Sequence, residues 1–233
     1  MKKYIYIIFI ACGLFSLSSC DKDSEDTSKV TYFAEISIVG DAVIASEKGA
    51  VFNDPGAEAS ENGEDISSKI EVSGSVNADK PGIYNIVYSV KNTDGIANST
   101  SRKVVVYDKT PSLMTSGVYT ITATSFRNNA GTIATYGKNF TIIIYQKEPG
   151  VFVTTDFLGG WYDQRAGYGS NYAASGTFRL NADNTITLLS SSVPAWGDSL
   201  AALENASYNP STKVLKWQAI YAGGMIFDQT FNK

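Results

Sequence analysis

Apolar and polar residues alternate with a period of two, not 3.6, along most of the chain from Val30 onward. In the segment 84–91 the larger apolar side chains occupy the even positions: Tyr84, Ile86, Tyr88 and Val90. This pattern predicts a strand with one face toward a core. Pro81-Gly82 before the segment and residues 92–95 after it have turn chemistry. Short strands at this spacing predict a small β-sandwich over residues 30–108.

Residues 117–233 continue the alternation in a second series of segments. The predicted strands include residues 119–123, 140–144, 151–157, 178–180, 186–188, 215–221 and 225–231, with a turn at residues 181–184. Because their turns are short and no helical period intervenes, they predict an antiparallel meander that forms a β-barrel or a sandwich. Residues 109–116 lack alternation and contain Pro111, which indicates a linker between two domains. The predicted fold class is therefore all-β.

Residues 1–19 have the layout of a secretory signal peptide. Lys2 and Lys3 precede an apolar run that ends at Leu17, and small residues lead to Cys20. The run is shorter than the roughly 20 residues of a membrane-spanning helix. A cysteine at this place resembles the lipobox of bacterial lipoproteins, which implies that Cys20 is acylated and becomes the first mature residue. Ordinary secretion with an incidental cysteine is the alternative.

Residues 20–29 are polar and charged, and they predict a flexible acidic tether. An acidic stretch after the lipidated cysteine also resembles the surface-export signal of Bacteroidetes lipoproteins. The resemblance implies an outer-membrane protein that faces the cell exterior and contacts the membrane through its lipid anchor only. A periplasmic face is the alternative, since a solvated linker suits both.

The composition removes several functional classes. Without residues 1–19 the chain has 17 basic and 23 acidic residues, a net charge of −6, which argues against nucleic acid as a partner. The chain has no histidine, which excludes Ser-His-Asp and Cys-His catalysis and the common zinc sites. We therefore predict no catalytic residue, no metal and no cofactor. The absence of histidine does not exclude glycosidase chemistry that uses carboxylates alone, or calcium sites with oxygen ligands.

Two ordered series of motifs resemble known families. Asp54-Pro55-Gly56-Ala57, residues 64–67, 81–84 and 102–106 resemble bacterial Ig-like repeats of the HYR and DUF5011 type. That resemblance implies a spacer or adhesion module without catalytic residues. Residues 157–162, residues 208–213 and the Phe227–Phe231 strand are similar to the calycin-like or lipocalin-like C-terminal domains of Bacteroidetes surface lipoproteins, of the BT_2262-like type.

An aromatic segment within a glycine-rich, polar stretch is the candidate binding site. It contains Trp161, Tyr162, Asp163, Tyr168 and Tyr172, and Trp196 offers a second aromatic plane. Aromatic faces stack on sugar rings and neighbouring polar groups bind their hydroxyls, so the cluster predicts a glycan site. The alternative is that Trp161 and Trp196 are core residues at the ends of the barrel.

These observations predict a non-catalytic surface lipoprotein that binds glycan as part of a polysaccharide-uptake system. The family resemblance implies an outer-membrane TonB-dependent transporter complex as the partner. One alternative is a structural or adhesion protein that contacts other proteins through strand edges. Another is a lipocalin-like carrier of small ligands, which requires a continuous apolar cavity inside the barrel.

Overall fold

The structure is a computed structural model that describes residues 30–233, and its regular secondary structure is almost entirely β-strand, in two domains. The all-β prediction is confirmed. The signal peptide, Cys20 and the tether predicted from the sequence lie outside the described residues.

The N-terminal domain is a sandwich of two small sheets. Its elements are β1 (Ala34–Ile38), β2 (Val43–Glu47), β3 (Ala57–Glu61), β4 (Glu64–Asp65), a 3₁₀ turn (Ser67–Lys69), β5 (Glu71–Ser73), β6 (Gly82–Lys91) and β7 (Ala97–Tyr107). One sheet has the order β1-β3-β4 and the other β2-β7-β6-β5, with β2 parallel to β7. The even positions of β6 from Ile86 to Val90 are buried, as the alternation predicts. Tyr88, Ile86 and Val104 pack together between the sheets.

A charged side chain lies inside this sandwich. The guanidinium of Arg102 is fully buried, and its Nη1 lies 3.3 Å from Oδ1 of Asp54. Its Nη2 donates to the carbonyl of Val39 at 2.6 Å, and the Tyr88 hydroxyl donates to the Asp54 carboxylate at 2.6 Å. Burial, and then the hydrogen bond to Asp54, raise the pKa of Tyr88 to about 12. Asp54 therefore joins two strands of the sandwich through their side chains.

The C-terminal domain has ten strands and two short helical turns. They are β8 (Gly117–Ile121), β9 (Phe126–Asn129), β10 (Thr132–Thr135), β11 (Thr141–Glu148), β12 (Val151–Thr154), a π-helical turn (Trp161–Arg165), a 3₁₀ turn (Ser170–Tyr172), β13 (Ser175–Leu180), β14 (Ile186–Ser192), β15 (Ala202–Asn209), β16 (Val214–Tyr221) and β17 (Met225–Asn232). Every ladder between these strands is antiparallel.

Eight of these strands follow one another around an antiparallel meander barrel. The ladders run β8-β11-β12-β13-β14, and β15-β16-β17 returns to β8. The seam between β14 and β15 is held by the Thr185–Ser207 bridge and by a hydrogen bond from Tyr208 N to Asn184 O, 2.9 Å long. The β9-β10 hairpin extends the sheet beyond β17. The strand order agrees with the predicted meander.

Large aromatic side chains fill the barrel. The rings of Phe157, Phe178 and Phe231 contact Trp217, Phe152 stacks on Phe178, and all five side chains are buried. The Trp217 ring centroid lies 4.9 Å from that of Phe231 and 5.5 Å from that of Phe157. The lipocalin-like carrier predicted as an alternative requires an open apolar interior, whereas this interior is occupied by the protein's own rings. The structure therefore contradicts that alternative.

The predicted strand over 151–157 ends early, at Thr154. The Asp156 carboxylate, which is buried, accepts hydrogen bonds from the backbone N–H groups of Leu158 at 2.8 Å, Gly160 at 2.7 Å and Ala174 at 2.9 Å. These bonds turn the chain inward after β12, because they satisfy N–H groups that a straight strand would offer to a neighbour. Apolar alternation does not reveal such a side-chain acceptor, so the prediction was too long.

The segment between the domains is held against the barrel by Gln146, a buried residue of β11. Its Nε2 donates to the carbonyls of Thr110 at 2.8 Å and Asp108 at 3.3 Å, and its backbone N–H donates to Ser116 Oγ at 2.9 Å. The backbone N–H of Asp108 donates to the Gln146 carbonyl at 2.8 Å. The joint is therefore tied to the barrel at both of its ends.

Replacing Gln146 with leucine is expected to loosen this joint while leaving the barrel folded. The substitution keeps the volume but removes the donor to Thr110, at a cost of about 1–2 kcal/mol. We expect faster hydrogen exchange and faster proteolysis within residues 108–116. Lys147→Ala, at the neighbouring exposed position, is the control. Equal cleavage rates for the two variants would show that Gln146 does not hold the joint.

Candidate aromatic binding surface

The candidate site lies on the long connection between β12 and β13. Asp156 holds the start of this connection, and Gly159 and Gly160 follow with φ of 59° and 84°. A β-carbon at Gly159 would lie 2.6 Å from Ile121 Cδ1, so only glycine allows the chain to pass this close to the core. The Tyr136 hydroxyl donates to the Leu158 carbonyl at 2.6 Å. The base of the connection is therefore rigid.

Trp161 is a core residue, which corrects its assignment to the binding surface. Its side chain is 3% exposed, and its ring makes edge contacts with Tyr136 at 4.9 Å and Phe227 at 5.7 Å between centroids. The guanidinium carbons of Arg165 and Arg127 lie 4.1 and 4.8 Å from the ring centroid. Because arginine and aromatic side chains surround it, the indole has no face available for a ligand.

Four of the predicted residues come together at one end of the barrel, and we call them the aromatic cluster: Tyr162, Tyr168, Tyr172 and Trp196. The ring centroids of Tyr162 and Trp196 are 4.8 Å apart, those of Tyr172 and Trp196 5.0 Å, and those of Tyr168 and Tyr172 5.3 Å. Tyr162 and Tyr168 stack at 6.2 Å with an interplanar angle of 19°. Each of the four rings therefore packs against two others of the cluster.

The outer rings of the cluster face solvent. Tyr168 is 57% and Trp196 44% exposed, whereas Tyr162 and Tyr172 are half-buried beneath them. The loop that carries Trp196 is tied to the 3₁₀ turn of Tyr172, because Ala195 N donates to Asn171 O at 2.9 Å. The exposed rings are therefore ordered before any ligand arrives, which lowers the entropy that binding must remove.

Polar groups that the sequence did not assign to the site surround the cluster. The Tyr221 hydroxyl donates to the exposed Asp198 carboxylate at 2.8 Å, and its ring lies 6.1 Å from Trp196. Burial, and then this hydrogen bond, raise the pKa of Tyr221, so it remains a donor at neutral pH. Burial also raises the pKa of Tyr162, and the nearby Arg127 opposes that shift. Tyr221 was predicted only as one residue on the apolar face of a strand.

Asp163 lies on the other side of the same connection. It lines a groove between the two domains, of about 460 Å³, together with Gln164 and Ser170 of the barrel and Val43 and Lys103 of the N-terminal domain. The structure therefore places Asp163 toward the neighbouring domain and not among the ring contacts of the aromatic cluster.

No group of three or more cysteine, aspartate and glutamate residues among residues 30–233 is arranged to hold a metal ion. Asp156 is enclosed and bonded to three backbone N–H groups, so its carboxylate does not face a ligand. No helix within the same range has the length and apolar character to cross a membrane.

The fold and the two family comparisons define a class of two-domain, all-β surface proteins. A family model for the Ig-like domain of bacterial surface proteins matches residues 36–106, and a family model for a C-terminal domain matches residues 108–233. The crystal structure of the lipoprotein BT2262 from Bacteroides thetaiotaomicron is 46% identical, with a TM-score of 0.79, and the match covers 86% of this chain and 100% of that chain. The chain belongs to the BT2262-like family of surface lipoproteins.

More distant structures add nothing to this assignment. Two structures of ZmpB from Clostridium perfringens, which contain CBM51 domains, are 22% and 21% identical, with TM-scores of 0.28 and 0.30. They cover 52% and 54% of this chain, and 31% and 15% of their own chains. At these scores the similarity supports no argument about fold or ligand. No curated protein matches the chain.

Proposed function

We propose that this lipoprotein is a non-catalytic glycan-binding protein, anchored through Cys20 in the outer membrane and facing the cell exterior. The observation that carries the proposal is the aromatic cluster, whose two exposed rings are held by two half-buried tyrosines. Exposed aromatic faces bind the apolar C–H faces of sugars, and polar groups at their edge bind hydroxyls. The exposed Asp198 carboxylate and the Tyr221 hydroxyl that donates to it supply polar groups beside these rings.

The geometry suits a surface platform for an extended chain more than a closed pocket for a single small molecule. Trp196 and Tyr168 project from neighbouring loops of one barrel end, and both lie against the same half-buried tyrosines. A polysaccharide can contact both rings with successive units. Capture of such a chain fits a place beside a TonB-dependent transporter in a polysaccharide-uptake system, which we propose as the partner complex.

Replacing Trp196 with alanine is expected to weaken glycan binding by about 10- to 100-fold, because one stacking face is worth about 1–3 kcal/mol when it becomes buried. Isothermal titration of the complete mature chain against a panel of polysaccharides measures this effect. Tyr168→Ala should lower the same affinity, since its ring belongs to the same surface.

Leu189→Ala is the matched control, because Leu189 is 45% exposed on β14 and makes none of the ring contacts of the cluster. If no polysaccharide of the panel binds, or if Trp196→Ala binds as tightly as the unchanged chain, the glycan proposal is wrong. In that case pull-down from outer membranes, compared between the unchanged chain and Trp196→Ala, tests the adhesion alternative.

A further inference from the structure

Exposed apolar residues gather at one end of the Ig-like domain. Val30 is 65%, Tyr32 48%, Phe33 68% and Ile96 43% exposed. Asn92 joins the two segments, because its Nδ2 donates to the Tyr32 carbonyl and its Oδ1 accepts from the Ile96 N–H, both at 2.7 Å. We call Val30, Tyr32, Phe33 and Ile96 the apolar pole. The buried Asn92 therefore fixes the backbone of the pole at Tyr32 and at Ile96.

The apolar pole lies at the end of the Ig-like domain opposite the barrel. Strand β7 begins at Ala97, directly after Ile96, and ends at Tyr107, beside the joint that Gln146 holds. A strand of this length spans about 33 Å. The pole and the joint are therefore separated by the long dimension of the sandwich.

The chain that precedes the apolar pole leads directly to the proposed lipid anchor. Nine residues, 21–29, separate Cys20 from Val30. Even fully extended, this segment spans no more than about 35 Å. The pole is therefore the part of the folded protein nearest in sequence to the anchor, and it is confined to the neighbourhood of the membrane.

We propose that the apolar pole rests in the headgroup region of the membrane that holds the anchor. The inference rests on the lipidation of Cys20 proposed above. Tyrosine is enriched in this region, where it keeps its hydroxyl in water, and phenylalanine buries its ring at the boundary between headgroups and acyl chains. With the pole on the membrane, the Ig-like domain stands upright and carries the barrel and its aromatic cluster away from the surface.

The charges near the pole indicate which lipids it contacts. Glu35 lines a shallow surface depression together with Tyr32 and Phe33, and Asp94 lies in the turn that precedes Ile96. Because anionic headgroups repel these carboxylates, we expect the pole to bind zwitterionic membranes more strongly than anionic ones.

The test uses the mature chain, residues 20–233, with Cys20→Ser, so that no acyl chain contributes. Co-sedimentation with phosphatidylcholine vesicles at about 5 mM lipid should detect a weak association. The double substitution Tyr32→Ser and Phe33→Ser should lower the partition coefficient at least about tenfold, since it removes both aromatic rings. Ile133→Ser is the control, because Ile133 is 62% exposed on the β9-β10 hairpin of the barrel. Phosphatidylglycerol vesicles should bind the unchanged chain less.

Two results would overturn the inference: no association of the unchanged chain with phosphatidylcholine vesicles, or equal association of the double variant. Self-association of the chain that the same double variant abolishes, without vesicle binding, would assign the pole to a second copy instead. The intact mass of the protein extracted from membranes tests the Cys20 anchor separately. A missing lipid and a pole that does not bind membranes are therefore distinguishable.

Discussion

Replacing Asp156 with asparagine is expected to lower the free energy of unfolding of the barrel by about 3 kcal/mol at neutral pH. The carboxylate accepts one hydrogen bond from Gly160 on Oδ2 and two, from Leu158 and Ala174, on Oδ1. An asparagine oxygen can keep the pair on Oδ1, but its amide group then faces the Gly160 N–H as a second donor. Two buried donors are left without acceptors, and the turn after β12 is weakened.

The loss of stability in Asp156→Asn is also expected to depend on pH, and the burial of Asp156 decides whether it grows or shrinks as the pH falls. Burial raises the pKa of Asp156 to about 6, although the three backbone N–H groups oppose the shift. Since this pKa is above the unfolded value of about 3.9, the folded state binds the proton more tightly, and the group stabilises the fold most at low pH. That contribution is lost as the pH rises through about 6.

Asparagine does not titrate, so the difference in free energy of unfolding between the unchanged chain and Asp156→Asn should be about 2 kcal/mol larger at pH 4.5 than at pH 7. Urea unfolding followed by tryptophan fluorescence measures the barrel specifically, because Trp161, Trp196 and Trp217 all lie in it. Asp163→Asn, a half-buried carboxylate on the same connection, is the control and should change stability by less than about 0.5 kcal/mol. A deficit that stays constant with pH would show that Asp156 titrates normally.

The alternation of apolar and polar residues correctly predicted strands in which one face of the sheet is buried and the other is more exposed. The buried even positions of β6 and the buried face of β16, from Leu215 to Tyr221, were both predicted from their periods. This works because a period of two is a property of the backbone and requires no knowledge of the partner strand. The strand order was predictable because short turns join neighbouring strands.

The predictions were wrong or incomplete where a single side chain ends or joins elements. Asp156 ends β12 through bonds to residues up to 18 positions away, and Gln146 fixes a linker 36 positions before it. Neither contact leaves a periodic signal in the sequence. The same limit applies to Trp161. Its sequence neighbours are glycine and polar residues, as for an exposed ring, but Arg127, 34 positions earlier in the chain, covers it.

For the candidate site, the composition of the sequence identified six residues, and the structure places only four of them in one cluster. Tyr162, Tyr168, Tyr172 and Trp196 lie together, while Trp161 packs inward and Asp163 lines the interdomain groove. The division follows from the π-helical turn at Trp161–Arg165, which directs successive side chains to different sides. A glycine-rich segment has no period from which such a turn is predicted.

Replacing Asp54 with alanine is expected to destabilise the Ig-like domain by about 3 kcal/mol, because it leaves a buried cation without its counter-charge. Arg102 is fully buried, and Asp54 is the carboxylate that its Nη1 approaches at 3.3 Å. The Val39 carbonyl still accepts from Nη2 in the variant, but a carbonyl only partly compensates a full charge. The Tyr88 hydroxyl also loses its acceptor.

Adding Arg102→Met to this variant is expected to recover most of the loss. A methionine has a similar apolar stem and no charge, and the replacement of buried ion pairs by apolar residues of similar volume is often neutral or stabilising. Hydrogen exchange in β6 and β7 is the suitable measurement, because the three tryptophans report only on the barrel. Asp41→Ala, at an exposed position of the same domain, is the control.

The two variants separate the charge from the hydrogen bonds. If Asp54→Ala is costly and the double variant recovers, the buried guanidinium is the cause, and the Ig-like domain retains an ion pair that an apolar pair can replace. If the double variant is as unstable as Asp54→Ala, the loss comes from the hydrogen bonds of Asp54 to Tyr88 and to the Gly56 N–H, 3.1 Å away. In that case the Asp54-Pro55-Gly56 turn stabilises the sandwich independently of Arg102.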